Sequence, residues 1–195
     1  MALRQIICAD NPRLREKSKK ARVFGPSLQT LIDDMIETMH ENNGLGLAAP
    51  QVDVLERVVV IELPEHEDDP QGGQVFALVN PEIVRAEGEE EGEEGCLSIP
   101  GWWGEVKRAT AVTVKAQDAK GKWIRIKGYD LLARALQHEI DHLDGILFID
   151  RVEGPEKLHR VEPKPEGVAD DEGAGSTADE SAEPVHEAAE AVTQS

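Results

Sequence analysis

The stretch Gln137-His138-Glu139-Ile140-Asp141-His142-Leu143-Asp144-Gly145 carries two histidines four residues apart, with a glutamate directly after the first. An α-helix turns every 3.6 residues, so the two imidazoles project from one face and can grip a single metal ion. Glu139 then stands where its carboxylate reaches a metal-bound water rather than the metal. The chemistry this pattern supports is hydrolysis by an activated water. A solvated helix face bearing two histidines is the plainer alternative, and the full pattern favours the metal site.

Two histidines leave a catalytic metal one protein ligand short, because such sites usually take three and keep a fourth position open. The metalloprotease pattern His-Glu-x-x-His-x-x-Gly-x-x-His is matched through Gly145, but Phe148 stands where its last histidine belongs. A glutamate on a later helix would have to be Glu153 or Glu156, in a segment that reads as fraying. Upstream, Cys96 is the soft ligand in a promising context, flanked by Gly95 and followed by an apolar run. A thiolate with two imidazoles suits Zn²⁺ or Fe²⁺. Spacing alone does not bring Cys96 to the helix.

The elements that must position these residues are readable from periodicity. Leu28, Leu31, Ile32, Met35, Ile36 and Met39 recur at helical spacing, with Asn42-Asn43-Gly44 as the stop. Gly44-Leu45-Gly46-Leu47-Ala48-Ala49-Pro50-Gln51 reads as an extended segment whose backbone something approaches closely. Strands are expected at Arg57–Leu63, Val75–Val79, Glu82–Arg85, Val106–Lys115 and Lys122–Lys127. Asp130 is the expected N-cap of a helix that starts at Leu131, runs into the histidine motif and ends at Asp144-Gly145. Ile146–Ile149 reads as a short buried strand. The fold class expected is α+β, with antiparallel strands packed around a central metal-binding His-Glu-x-x-His helix.

Composition bounds the function further. The chain has 195 residues and a formal net charge of −18. From Pro165 onward there are nine acidic residues and no lysine or arginine, which is half of that charge. The expected organisation is a catalytic domain over 1–160 and an acidic disordered tail over 161–195. Glu87–Glu94 holds six glutamates in eight positions, and such a run repels polyanions, so no direct nucleic-acid binding is expected there. No apolar run approaches the roughly 20 residues of a membrane span. The N-terminus is too soon polar for a signal peptide, so the expected location is the cytoplasm. Cys8 and Cys96 are too few for a disulfide scaffold.

Three segments together resemble the peptide deformylase family: Gly44–Gln51, Glu94-Gly95-Cys96-Leu97-Ser98 and Gln137–His142. The resemblance spans roughly the first 150 residues. It implies that Cys96, His138 and His142 are the metal ligands, with Fe²⁺ the expected ion and Zn²⁺, Ni²⁺ or Co²⁺ as substitutes. It implies hydrolysis of the N-formyl group from the N-terminal formylmethionine of nascent polypeptides, releasing formate. In that reading Glu139 is the general base and then acid. Gln51, through its side-chain amide, and Leu97, through its backbone N–H, stabilise the oxyanion. Gly46 matches a backbone position that pairs with the peptide substrate, and Gly44 serves the turn. Leu131, Arg134 and Ala135 lie on the metal face of the helix; Leu131 and the stem of Arg134 are expected to line the methionine pocket, the guanidinium reaching water. The partner implied is the nascent-chain N-terminus, met at the ribosome, with the enzyme a monomer. Two features depart from the pattern. Trp102-Trp103 stands where some members carry an Arg, and either binds substrate or covers an edge. Tyr129-Asp130 stands where many have glycine. A metalloendopeptidase and a non-catalytic ribosome-associated module are the competing readings; Phe148 opposes the first, and intact Glu139 and Gln51 oppose the second.

Overall fold

The helical stripe of Leu28, Leu31, Ile32, Met35 and Met39 is buried along one side of helix α1, Pro26–Glu41. The computed structural model describes residues 2–66 and 70–161 of the chain. Helix α1 ends through Asn43, whose φ of 53° lies in the left-handed region. Gly44 is therefore not the turn residue. A Cβ there would lie 2.7 Å from Leu97 Cδ1, so its bareness lets the chain pack against the loop after Cys96.

Strand β1, Gly46–Ala48, is one of the two outer members of a five-stranded antiparallel sheet and pairs with β2, Val58–Glu62. The Val-Val-Val-Ile run of β2 lacks polar alternation because both of its faces are covered. Val58 and Val60 pack with α1, while Val59 and Ile61 pack with Leu132, Leu136, Ile140 and Leu143 of α2, Asp130–Leu143. Each of those four side chains is at least nine-tenths buried and contributes about 1.5–3 kcal/mol by leaving water.

The strands expected at Val75–Val79 and Glu82–Arg85 are one strand, β3, Val75–Glu87. It survives Asn80-Pro81 because its ladder slips there: Val79 faces Gln117, and Glu82 faces Lys115. Asn80 takes φ 52° at the bulge, and its side-chain amide holds both the N–H and the carbonyl of Ala21, each at 2.9 Å. The Glu-rich run is more than a charged stretch: Glu90–Gly95 forms β4. The expected strand Val106–Lys115 breaks at Ala109-Thr110, giving β5, Trp102–Arg108, and β6, Ala111–Gln117. Strand β7, Trp123–Tyr129, follows, and the large sheet runs β1-β2-β3-β6-β7. Strands β4, β5 and β8, Leu158–Arg160, form a second antiparallel sheet.

Two local expectations at α2 are corrected. Asp130 does not cap the helix with its side chain; it is the first helical residue, at φ 46°, and its N–H donates to Thr110 O at 2.8 Å. That left-handed backbone is why glycine suits the position. Ile146–Ile149 is not a strand. Leu147 and Phe148 are buried, but the chain makes a 3₁₀ turn over Phe148–Asp150, closed by Leu147 N–H donating to Asp150 Oδ2 at 2.8 Å. The stop at Gly145 holds: its φ is 75°, and Ile146 N–H returns to Asp141 O at 3.0 Å.

Among the described residues no helix is long and apolar enough to cross a membrane. The expected acidic tail, Val161 apart, lies outside the described residues.

Candidate active site

Helix α2 presents His138 and His142 side by side, their ring centroids 5.0 Å apart. Cys96 reaches them from the other sheet, at the turn where β4 ends, with Ile99 N–H closing on Cys96 O at 2.9 Å. Cys96 Sγ lies 3.3 Å from His142 Nε2. One ligand atom from each of Cys96, His138 and His142 falls within a mutual 4.8 Å. The donor set fits an ion: one thiolate and two imidazoles, the mixture that suits Zn²⁺ or Fe²⁺. Phe148, in place of the metalloprotease's third histidine, stacks on His138 with centroids 6.3 Å apart and closes that side of the site.

Glu139 lies beneath β1. A Cβ on Gly46 would come 2.8 Å from Glu139 Cδ and 2.9 Å from Cγ, so Gly46 leaves the space this side chain fills. Glu139 is 4% exposed, and its Oε2 has no hydrogen-bond partner among the described residues. Burial raises its pKa to about 7, despite the opposing pull of His138. Burial likewise holds His142 neutral, well below the usual imidazole range.

Gln51 sits on a short 3₁₀ turn, Ala49–Val52, directly after β1. Its Oε1 accepts from Ala48 N–H at 2.8 Å, which fixes the amide's direction. Its Nε2 points at Ser98 Oγ, 3.2 Å away, and at Cys96 Sγ, 3.5 Å away. The N-terminal segment clips both sides of this arrangement: Ile7 N–H donates to Gln51 O and Ala9 N–H to Ser98 O, each at 2.9 Å.

Glu94 precedes Cys96 by two residues and accepts four hydrogen bonds. They come from Arg108 Nε (2.8 Å), Arg108 Nη2 (3.0 Å), Arg134 Nη1 (3.0 Å) and His138 Nδ1 (2.9 Å). Burial alone would raise the Glu94 pKa, but the hydrogen bonds from His138 and Arg108 hold it at about 2. With Nδ1 of His138 committed to Glu94, Nε2 is the nitrogen left for a ligand. For His138 too burial is opposed: hydrogen bonds with Cys96 and Glu94 raise its pKa to about 10. The ion chain continues through Arg108 Nη1 to Asp141 Oδ2, 2.5 Å, and from Asp141 Oδ1 to Arg151 Nη2, 2.6 Å.

A cavity of about 360 Å³ opens over these residues; Gly46, Gln51, Cys96, Leu97, His138 and Glu139 line it, and so do Leu131, Arg134 and Ala135. Every candidate from the sequence except His142 thus borders one space, and His142 lies beside Cys96. The Arg134 guanidinium differs from expectation. Rather than reaching water it bonds Glu94, Gly92 O and Val106 O, strapping α2 to β4 and β5. Trp103 lies on the central strand of the small sheet, stacked on His159 at 4.2 Å across the β5–β8 pair rather than covering an edge, while Trp102 is 40% exposed. Sequence reasoning passed over Glu94, Arg108, Asp141 and Arg151. One signal was available for Glu94 and Asp141: both stand inside the segments that carry the family resemblance.

Fold and site together have the form of a metal-dependent hydrolase, with a thiolate and two imidazoles gathered beside a buried carboxylate. The model of the polypeptide deformylase family matches residues 3–158. A peptide deformylase of Thermomicrobium roseum is 49% identical over 171 residues, covering 87% of this chain and 97% of that protein. One from Heliobacterium modesticaldum is 54% identical over 153 residues, covering 78% of this chain and 96% of its own. Among solved structures, the peptide deformylase of Legionella pneumophila superposes with a TM-score of 0.72 at 48% identity, over 80% of this chain and 88% of that one. That of Ehrlichia chaffeensis in complex with actinonin gives 0.75 at 38% identity, over 80% and 92%. The chain belongs to the peptide deformylase family.

Proposed function

We propose that this chain hydrolyses the N-formyl group of the initiator methionine on nascent polypeptides, giving formate and a free α-amine. The observation that carries the reading is the meeting of Cys96, His138 and His142 within 4.8 Å, beside a buried Glu139 with an unpartnered oxygen. Cys96, His138 and His142 are the ligands, and Fe²⁺ is the ion, with Zn²⁺, Ni²⁺ or Co²⁺ able to replace it. When bound, the metal supplies Lewis-acid activation of water near neutral pH.

The residues of the chain do the rest. Glu139 takes a proton from the attacking water and passes it to the departing nitrogen, so one carboxylate is base and then acid. The bond from formyl carbon to nitrogen breaks as the new carbon–oxygen bond is completed. Gln51 Nε2, already aimed past Cys96, and the Leu97 N–H donate to the formyl oxygen as it gains charge. Each such donor contributes about 2.7–4 kcal/mol to the transition state. Gly46 lies in β1, an outer strand of its sheet, and pairs with the extended peptide backbone. Leu131 and the stem of Arg134 form the wall that receives the methionine side chain.

The catalytic domain is residues 1–160, its antiparallel strands arranged around the central metal-binding helix, followed by the acidic tail at 161–195. The enzyme works as a cytoplasmic monomer that meets nascent chains at the ribosome. Formate release from a formyl-methionyl peptide tests the function. Glu139→Gln, loaded with metal to the wild-type level, loses about 10²–10⁴-fold in kcat. Deformylation that persists in that variant removes the base from the mechanism, and cleavage of an internal peptide bond makes the protein an endopeptidase.

A further inference from the structure

The chain is strongly acidic overall, yet one face of it is not. Residues 111–129 carry Lys115, Lys120, Lys122, Arg125 and Lys127 against one acid, Asp118. Strand register sorts them. Val114 faces Ile126 and Ala116 faces Ile124 on the core side, while Lys115 faces Arg125, Thr113 faces Lys127 and Gln117 faces Trp123 on the other. The outward row of β7 is thus Trp123, Arg125, Lys127 and Tyr129, all exposed, with Trp123 at 56% and Tyr129 at 52%.

Among the described residues these cations have few carboxylate partners. Asp118 is occupied by its own turn, accepting the backbone N–H groups of Lys120 and Lys122 at 2.9 Å each. Among the described residues no carboxylate forms an ion pair with Lys120, Lys122, Arg125 or Lys127. From β3, Glu82 stands opposite Lys115, and Glu87 is tied to Arg85 at 2.7 Å. Lys115 places its Nζ 4.4 Å from the centre of the Trp123 ring. Lysines on an outer strand can serve merely to deter pairing with another sheet. That purpose requires no exposed indole, and an exposed indole works against it. The Glu-rich strand β4 belongs to the other sheet.

We propose that this face of β6 and β7 docks single-stranded or looped RNA, the cations following phosphates while Trp123 and Tyr129 stack unpaired bases. Cationic grooves with exposed rings bind in this way without reading sequence. A duplex hides the faces of its bases from such rings, and an acidic protein would use the cations and leave the rings idle. The inference stands apart from the deformylase reading.

The test is fluorescence anisotropy of a labelled oligouridine of about twelve nucleotides, titrated with the full chain over a range of salt. Four cations with no ion pair among the described residues predict a log–log salt slope near −3, at about 0.7 per phosphate neutralised. Trp123→Ala weakens binding about tenfold, and Arg125→Gln/Lys127→Gln flattens the slope by about 1.4. Formate release is unchanged in both variants. The control Lys17→Gln/Lys19→Gln/Lys20→Gln, which removes three cations elsewhere, leaves RNA affinity as it was. No salt-dependent binding overturns the proposal, as does equal loss in the control. Indifference to Trp123→Ala, or equal competition by poly-glutamate, shows a bare electrostatic surface rather than an RNA site.

Discussion

Replacing Gly46 with alanine adds one methyl group at the point where β1 passes over Glu139. That Cβ would lie 2.8 Å from Glu139 Cδ and 2.9 Å from Cγ, whereas carbon atoms rest about 3.5–4.0 Å apart. The carboxylate must therefore retreat by roughly 0.7–1.2 Å. A displacement near 1 Å costs about 10²-fold when a reacting group is misplaced, or about 2.7 kcal/mol of barrier. The strand itself should tolerate the change. Alanine keeps the N–H and carbonyl that pair with β2 and with a substrate, and replacing glycine in extended backbone gains about 0.4–1 kcal/mol from the unfolded state. The expected variant is folded and metal-loaded, with a thermal midpoint near wild type, KM little changed and kcat down about 10²-fold. Formate release at saturating formyl-methionyl peptide, with metal content measured in parallel, reads this directly. Gly44→Ala is the comparison: its Cβ meets the flexible tip of Leu97, so its loss is smaller. A Gly46→Ala enzyme with kcat within about threefold of wild type, or with its whole deficit in KM, would refute the idea that Gly46 exists to seat Glu139.

Glu94→Gln leaves Arg108 and Arg134 facing a neutral amide. Breaking a buried ion cluster on one side costs about 3–5 kcal/mol, visible as a lower urea midpoint. The loss of the His138 orienter weakens metal binding about 10–100-fold in a chelator competition; a variant with wild-type affinity and stability would remove Glu94 from any positioning role. Asp34 sets an acid limit on the N-terminal anchor. Its carboxylate accepts from Ala2 N–H at 2.8 Å and from Arg4 Nη2 at 3.0 Å, and the Ala2 bond, with Arg4, lowers its pKa against the opposing effect of burial. A lowered folded pKa means stabilisation that is present above the unfolded value of about 3.9 and is lost as pH falls through the folded value. Asp34→Asn therefore lowers the thermal midpoint at neutral pH, and its gap to wild type narrows as the pH falls below the unfolded carboxylate value; parallel pH curves for the two proteins would contradict this.

The helices were legible because each buries one face, and one-sided burial writes a 3.6-residue period into the sequence. Strand β2 was legible for the opposite reason: covered by α1 and α2 on its two sides, it is apolar without interruption. What escaped had no such signature. Strand β4 exposes most of its glutamates, so its pairing with β5 leaves no alternation of apolar residues to read. Strand β3 continues through Asn80-Pro81 only because Asn80 accepts a left-handed backbone and ties the bulge to Ala21, a contact across 59 residues. The site divides in the same way. His138, Glu139 and His142 share a helix face and declare themselves. Cys96 needed its flanking segment, and the linkage of Glu94 through Arg108 and Asp141 to Arg151 could not be read, since its members are scattered over β4, β5, α2 and the turn beyond.

That scattering bears on what the ion chain does. The proposed donor set is assembled from two elements: α2 brings both imidazoles, and the turn after β4 brings the thiol of Cys96. Nothing in local helix or strand geometry fixes the distance between them. Glu94 and Arg134 make that connection directly, Glu94 holding His138 of α2 from β4 while Arg134 of α2 grips the carbonyls of Gly92 and Val106. Buried ion clusters contribute little net stability compared with apolar packing of the same volume. An apolar junction could hold α2 to the sheet as firmly, but it could not select which nitrogen of His138 faces Cys96. Directional bonds to Nδ1 do select it, and this is the reason to expect charge, rather than leucine, at the seam between helix and sheet.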